Sequence, residues 1–274
     1  MMKNTRHQKI INLLSTHIML RIEELCELMD VSPATIRRDL NLLHDQGYIT
    51  RINGGAMIPR NPPEPAVAAS EVSDDPFLVY KKALAKVAVG LVKEGDTIFI
   101  DAGSTNMEIA RLLVDFKHIS IITNGIEIAY RLRSLNKSIK IFICGGTIEE
   151  LTPEASIVGP LAEQMISLFR ANLLFLGTSA IDIHKGVTDP HLLLANIKNK
   201  MIENASKIVL VTDHSKFGKV NMAHVCPIDK IDHLIVDNKV PRHVLSHFAN
   251  LGIEISIAEV AEPEEAADRS NSID

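Results

Sequence analysis

The chain has 274 residues, 46% of them apolar and 4% aromatic, no Trp, and a formal net charge of −5. That length suits two domains rather than one small module, the apolar share supplies a sizeable core, and the scarcity of aromatics argues against a stacking platform for single-stranded nucleic acid. The negative total argues against nucleic acid in general, but residues 1–60 carry eight Lys/Arg against six Asp/Glu, so a DNA contact would rest on placement and on paired copies.

From the amino terminus, Ile10, Ile11, Leu13 and Leu14 fall at helical spacing, and Ile22, Leu25 and Met29 form the stripe of a second short helix. Asp30-Val31 turns the chain into a third helix. Ser32 supplies a capping hydroxyl and Pro33 sits at the first helical position, where it has no hydrogen bond to lose. Ile36, Leu40 and Leu43 make the buried stripe. At 100° per residue, Ala34, Arg38 and Asn41 lie opposite, flanked by Thr35 and Arg37. A small residue, two arginines and an amide on one outward face suit the major groove, where Arg reads guanine and Asn reads adenine. Asp39 lies nearer the buried side and reads as an orienting partner. Gly47 ends the helix, Tyr48–Ile52 alternates as a strand, and Asn53-Gly54-Gly55 is a hairpin turn. Three helices and a hairpin describe a winged helix-turn-helix over residues 1–58. In it Ser32, Ala34, Thr35, Arg37, Arg38 and Asn41 face DNA, and Arg51 on the wing meets phosphate or the minor groove.

Val31-Ser-x-x-Thr-Ile-Arg-Arg-Asp-Leu40, Leu43-x-x-x-Gly47 and Arg51-x-x-Gly-Gly-Ala56 together resemble the DNA-binding domain of the DeoR family of bacterial transcriptional regulators.

Residues 59–76 are rich in Pro and lack periodicity, as in a semi-rigid spacer. A helical pattern resumes at Lys81. Beyond it, apolar runs at 97–100, 119–123, 139–143, 173–176, 207–211 and 233–236 alternate with helical stretches, predicting a mostly parallel sheet covered on both faces over residues 77–258. Ligands of such sheets bind past the carboxyl ends of the strands. Those ends carry Asp101-Ala-Gly103-Ser104-Thr105, Thr123-Asn124-Gly125, Gly145-Gly146-Thr147, Gly177-Thr178-Ser179 with Lys185 soon after, and Asp213 to Lys216. The inventory of amides, hydroxyls, carboxylates and ammonium groups fits a small polyhydroxylated phosphate. Amides at a helix amino terminus and Lys would meet the phosphate, Asp and Asn the hydroxyls.

The family resemblance extends through Asp101-x-Gly-Ser-Thr105, Thr123-Asn124, Gly145-Gly146, Gly186-Val-Thr188, Lys198-x-x-Met201 and Asp213-x-Ser-Lys-Phe-Gly218. It implies a sensor domain similar to the ribose-5-phosphate isomerase and CoA-transferase fold, responsive to phosphorylated sugars or related compounds. It carries over Asp101, Thr105, Thr123, Asn124, Lys185 and Lys216 as pocket residues. Two positions depart: Leu194 and Asn196 stand where an acidic residue is common, and Tyr80-Lys81 where an Arg is common. An altered effector or a less polar pocket rim is therefore expected.

Three readings compete: an effector-responsive regulator, a sugar-phosphate isomerase with Asp101 or Asp213 as base and Lys216 stabilising an oxyanion, and an architectural DNA protein. The isomerase leaves residues 1–58 unexplained and the architectural protein leaves the polar strand ends unexplained, so the regulator is favoured and no enzyme activity is expected. Repression relieved by the effector is the family's usual mode. Expected partners are double-stranded operator DNA, a phosphorylated sugar or sugar-acid effector, and a homodimer or higher homo-oligomer, with no membrane.

No dinucleotide or Walker-type glycine motif and no metal-ligand spacing occurs, so no cofactor or metal is expected. Cys26, Cys144 and Cys226 read as buried small hydrophobes. No secretory segment or apolar run near ~18 residues occurs, and the cytoplasm is the expected location. Residues 259–274 read as a disordered acidic tail.

Overall fold

The computed structural model describes residues 3–17, 19–45, 48–52, 54–57, 75–151 and 155–260. Gly47, Asn53, nearly all of the spacer and residues 261–274 lie outside the described residues. The chain divides into two compact units, Met1–Asp74 and Asp75–Asp274.

In the first unit, helices α1 (Lys3–Thr16), α2 (Ile22–Met29) and α3 (Pro33–Asp45) surround one apolar cluster, with Ile10, Leu14, Leu25, Ile36, Leu40 and Leu43 at its centre. Glu24 starts α2 by accepting the Arg21 N–H at 2.6 Å, and Asp30 ends it in the left-handed region at φ 52°. The hairpin of β2 (Thr50–Ile52) and β3 (Gly55–Met57) gains a third strand that the sequence pattern does not announce: β1 (Met19–Arg21), antiparallel to β3. Gly55 permits that pairing, since a Cβ there would lie 2.3 Å from the Leu20 carbonyl oxygen.

The second unit is built on strands β4 (Thr97–Ile100), β5 (Ser120–Thr123), β6 (Lys140–Ile143), β9 (Ala171–Leu176), β12 (Ala205–Val211), β14 (His233–Asp237) and β15 (Glu254–Ala258). They form a sheet in the order β15-β14-β12-β9-β4-β5-β6, parallel at every pairing. Alternation along the strands divides two cores. Phe99, Leu174, Leu176, Leu210 and Leu234 face α7 (Pro160–Ser167), α8 (Leu192–Glu203) and α9 (Arg242–Asn250). Ile98, Ile100, Leu173, Phe175 and Val209 face α4 (Leu78–Val89), α5 (Ser104–Leu112) and α6 (Ile126–Leu135). Each face of the sheet is thus sealed by helices, as near-continuous apolar strands require. The remaining strands are short: the pair β7 (Thr147–Glu149) and β8 (Ser156–Val158), and the antiparallel trio β10 (Ala180–Asp182), β11 (Gly186–Asp189) and β13 (Ala223–Cys226).

The strand order places the site. From β4 the chain steps outward to β5 and β6; it then returns to β9 on the other side of β4 and steps outward again to β12, β14 and β15. The order reverses between β4 and β9, so their carboxyl ends flank the crevice where such sheets take ligands.

No helix among the described residues is long and apolar enough to cross a membrane. Cys144 and Cys226 are buried and Cys26 is half-buried; burial pushes the Cys144 thiol up to about 11 and the Cys226 thiol up to about 12.

Candidate functional site

The surface of α3 is arranged as its periodicity demands. Ser32 Oγ accepts the Thr35 N–H at 3.3 Å and lies 2.9 Å from Thr35 Oγ1, capping the helix. Ile36, Leu40 and Leu43 are buried, while Ser32, Ala34, Arg37, Arg38 and Asn41 are exposed and Thr35 is half-buried. Asp39 is buried and turned inward. Arg6 donates to it at 2.6 and 3.0 Å, and His7 Nε2 lies 3.0 Å away. Burial works to raise the Asp39 pKa, but the bonds from Arg6 and His7 outweigh it and hold the carboxyl below its ordinary value. The arginine and amide face is therefore fixed from behind by an ion pair to α1. Arg51 on β2 donates to Asn41 Oδ1, tying the wing to the same face.

In the second unit a cavity of about 230 Å³ opens at the β4–β9 crevice. One wall is the first turn of α5. Gly103 precedes it at φ 145°, where only glycine is unstrained, and Ser104 and Thr105 follow on the cavity wall. The opening amides of a helix have no intrahelical acceptor, so this wall favours an anion. Gly177, Thr178 and Ser179 after β9 form the opposite wall, and Lys81 from α4 and Lys216 supply ammonium groups. Asn106, fully buried, donates to the carbonyls of Asp101 and Phe175 at 2.8 and 3.1 Å, locking the two strand ends together.

Beneath the walls lies a buried charge cluster. Lys198 Nζ is 2.8 Å from Asp189 Oδ2, 3.1 Å from the Gly177 carbonyl and 3.4 Å from Asp101 Oδ2. Burial opposes its charge, but Asp101 and Asp189 outweigh that and raise the Lys198 pKa. Asp101 is fully buried; Lys198 faces its Oδ2 at 3.4 Å, and neither oxygen makes a closer hydrogen bond. Burial raises its pKa to about 6, an increase that Lys198 only partly offsets. The three N–H groups of Lys198 already face Asp189, Gly177 and Asp101, so the unused hydrogen-bonding capacity lies on the Asp101 carboxyl, which suits a ligand hydroxyl.

Of the residues anticipated from sequence, Gly103, Ser104, Thr105, Lys216 and the turn Gly177-Thr178-Ser179 line the cavity, and Asp101 sits beneath it. The others lie off the cavity wall. Asp213 Oδ1 accepts the Ser215 N–H at 2.9 Å, capping the short 3-10 turn His214–Lys216 that presents Lys216. Thr123 and Asn124 are fully buried. The first holds the Gly125 N–H at 3.0 Å and the second the Ala102 N–H at 2.9 Å, so they shape the loops rather than meet the cavity. Gly145 and Gly146 follow β6, two strands from the crevice. Gly146, at φ 156°, admits the close approach of β8, since a Cβ there would lie 2.6 Å from the Val158 carbonyl oxygen. Lys185 is exposed in the β10–β11 turn. Leu194 is buried in the core and does not make the rim less polar, while Asn196 is half-buried on α8 and also off the wall.

Lys81, Asp189 and Lys198 were not among the anticipated residues. Lys198 leaves a trace in the sequence: Leu194, Ile197 and Met201 make a buried stripe on α8, and Lys198 falls within it, where a lysine needs carboxylate partners. Asp189 and Lys81 reach the cavity from β11 and α4, and no local spacing marks them. Among the described residues no group of three His, Cys, Asp or Glu is placed to hold a metal ion.

Comparison with known proteins gives matches over both units. Residues 6–61 match the DeoR-like helix-turn-helix domain and residues 78–238 the DeoR C terminal sensor domain. HTH-type transcriptional regulator GolR of Listeria innocua is 31% identical, covering 93% of this chain and 98% of that one. Transcriptional repressor AccR of Agrobacterium fabrum is 35% identical over 85% and 89% of the two chains. The glycerol-3-phosphate regulon repressor of Haemophilus influenzae is 33% identical over 90% and 94%. Among solved structures, ribose 5 phosphate isomerase A from Neisseria gonorrhoeae superposes with a TM-score of 0.37 at 16% identity, over 50% of this chain and 52% of that one, a likeness too slight to argue from.

Proposed function

The chain belongs to the DeoR family of transcriptional regulators, and from that premise we propose that it represses an operon for a sugar or sugar derivative and is relieved by a phosphorylated sugar or sugar-acid effector. Residues 1–58 read operator DNA through Arg37, Arg38 and Asn41, with Arg51 on the wing. Residues 77–258 sense the effector. Two copies of α3 from a symmetric homo-oligomer read the two halves of a palindromic operator.

The observation that carries the effector class is the cavity at the β4–β9 crevice. Its volume, about 230 Å³, is below the roughly 300–1,000 Å³ of drug-sized pockets and suits a small polar molecule. Lys81, Lys216 and the first turn of α5 bind the phosphate; Asp101 beneath them, faced by Lys198, orders the hydroxyls. The name of the Haemophilus influenzae relative, a glycerol-3-phosphate regulon repressor, is consistent with a small phosphorylated polyol.

The test is a thermal-shift screen of the full chain against phosphorylated sugars, sugar acids and their unphosphorylated counterparts, followed by operator titration with any hit. Stabilisation confined to phosphorylated compounds, together with weakened operator binding, is expected. Stabilisation by unphosphorylated sugars alone would remove the phosphate assignment, and a hit that leaves operator affinity unchanged would remove the effector role.

A further inference from the structure

Of the three lysines lining the cavity, Lys198 is held by Asp189 and Asp101, and Lys81 too is held by a carboxylate of the protein itself. Its Nζ donates to Asp75 Oδ2 at 2.5 Å and to Ser104 Oγ at 2.8 Å. Asp75 opens the second unit, at the end of the segment that joins it to the first, and its Oδ1 accepts the Phe77 N–H at 2.9 Å. Burial works to raise the Asp75 pKa, but Lys81, the Phe77 N–H and the more distant Lys216 together lower it. Two residues further on, a second fastening begins. The rings of Phe77 and Tyr80 lie 5.7 and 4.9 Å from the ring of His214. The His214 Nδ1 is 3.0 Å from buried Asp237, and His214 begins the turn that carries Lys216. Residues 75–80 thus touch both Lys81 and the turn that presents Lys216.

We propose that Asp75 is a built-in competitor for the effector's anionic group. It occupies part of the cation site through Lys81. An incoming oxyanion takes Lys81 from it, and the release of residues 75–80 carries pocket occupancy to the segment joining the two units. The inference rests on the pocket reading above and adds the route by which the pocket acts.

The physical reason is like-charge exclusion. A lysine ammonium has three N–H groups, of which Asp75 and Ser104 take two. Seating an anion on the third would hold it within a few ångström of the Asp75 carboxylate, at a partly buried place where repulsion is poorly screened. The ligand and Asp75 therefore bind Lys81 with negative coupling, and that coupling is what converts binding into movement.

The experiment titrates inorganic phosphate into full-length wild type, Asp75→Asn and Lys216→Ala by calorimetry, and follows amide hydrogen exchange over residues 75–80 with and without phosphate. Asp75→Asn is expected to bind phosphate roughly fivefold or more tightly than wild type, the low end of ordinary site-to-site coupling. Lys216→Ala binds it more weakly, and phosphate speeds exchange over 75–80 in wild type but not in Asp75→Asn, where exchange is already fast. Unchanged or weaker binding by Asp75→Asn, with Lys216→Ala still weakened, overturns the competitor and leaves the pocket reading standing. Phosphate binding that Lys216→Ala does not weaken, or no binding by any of the three, overturns both. If Asp75→Asn does not fold, Asp75→Ser takes its place with the same expected outcomes.

Discussion

Arg38 is an exposed guanidinium on a helix whose opposite face is fully buried, and among the described residues no hydrogen bond or ion pair holds its side chain. On the reading that α3 enters the major groove, Arg38→Ala lowers operator affinity by about 1–3 kcal/mol and reduces the preference for operator over random DNA. A binding titration in which that specificity ratio survives would show that the helix face was misassigned. The other informative residue is Asp101, which makes a pH prediction. Its folded-state pKa, about 6, lies above its ordinary value of 3.8, mainly through burial. The folded chain therefore holds the proton more tightly than the unfolded chain, and Asp101's contribution to stability falls as pH rises between those two values. Urea titrations at about pH 4 and about pH 7 are expected to show wild type losing stability relative to Asp101→Asn as pH rises; a constant difference would mean the carboxyl does not titrate in this range. Residue-level reading of the sequence reached Gly103, Ser104, Thr105, the turn Gly177-Thr178-Ser179 and Lys216 because each lies in the loop or turn that follows a strand. It missed Lys81, Asp189 and Lys198 because these arrive from α4, β11 and α8, and only the assembled sheet brings them to one crevice.

At the level of elements, what positions the exposed arginine face of α3 is the contact between α1 and α3. Asp39 is the one buried charge among the described residues of the first unit, and it is held by Arg6 and His7 from α1. Asp39→Ala removes the partner and leaves the Arg6 guanidinium uncompensated in a mostly buried place, at a cost of about 1–3 kcal/mol. Its expected signature is a lower melting temperature for residues 1–58 together with weaker operator binding, although no DNA-facing side chain has changed. Retained operator affinity at temperatures well below melting would mean that α3 is held by its apolar stripe alone. The wing makes a parallel case. Gly55→Ala would bring a Cβ to 2.3 Å from the Leu20 carbonyl oxygen, so the β1–β3 pairing must shift, and Arg51, on the strand paired with β3, shifts with it. The central parallel strands were legible from sequence because each holds two to four consecutive apolar residues just before a glycine or polar turn. The strands β1, β7, β8 and β10 were not, because three residues are too few to show a period of two. The strand β15 escaped for another reason: Glu254-Ile-Ser-Ile-Ala258 covers an edge, where alternation of polar and apolar residues replaces the continuous apolar run.

For the whole molecule, the two units have separate chemistry, one basic helix face and one lysine-lined crevice, and a regulator requires that they share free energy. If effector binding lowers operator affinity by some factor, operator DNA must lower effector affinity by the same factor, because the two routes to the doubly bound state have equal total free energy. This reciprocity is a prediction with no adjustable quantity. Effector affinity measured by calorimetry with and without saturating operator is expected to change by the factor found in operator titrations with and without saturating effector. A mismatch would mean that one of the two measurements reports a change of oligomeric state rather than coupling within it. Lys216→Ala then assigns the coupling to the crevice. It lies outside residues 1–58, so operator affinity without effector is expected to match wild type, while the effector concentration needed for release rises about tenfold or more, the loss of one charge-assisted contact of at least about 1.4 kcal/mol. Normal sensitivity to effector in a gel-shift titration would remove Lys216 from the pocket. Loss of operator binding without effector would instead show that the crevice holds the DNA-binding state in place before any ligand arrives. Those two failures point to different residues: the first to Lys81 as the main phosphate contact, the second to the Phe77–Tyr80–His214 ring cluster beside Lys216 as part of the fold that the DNA-binding state requires.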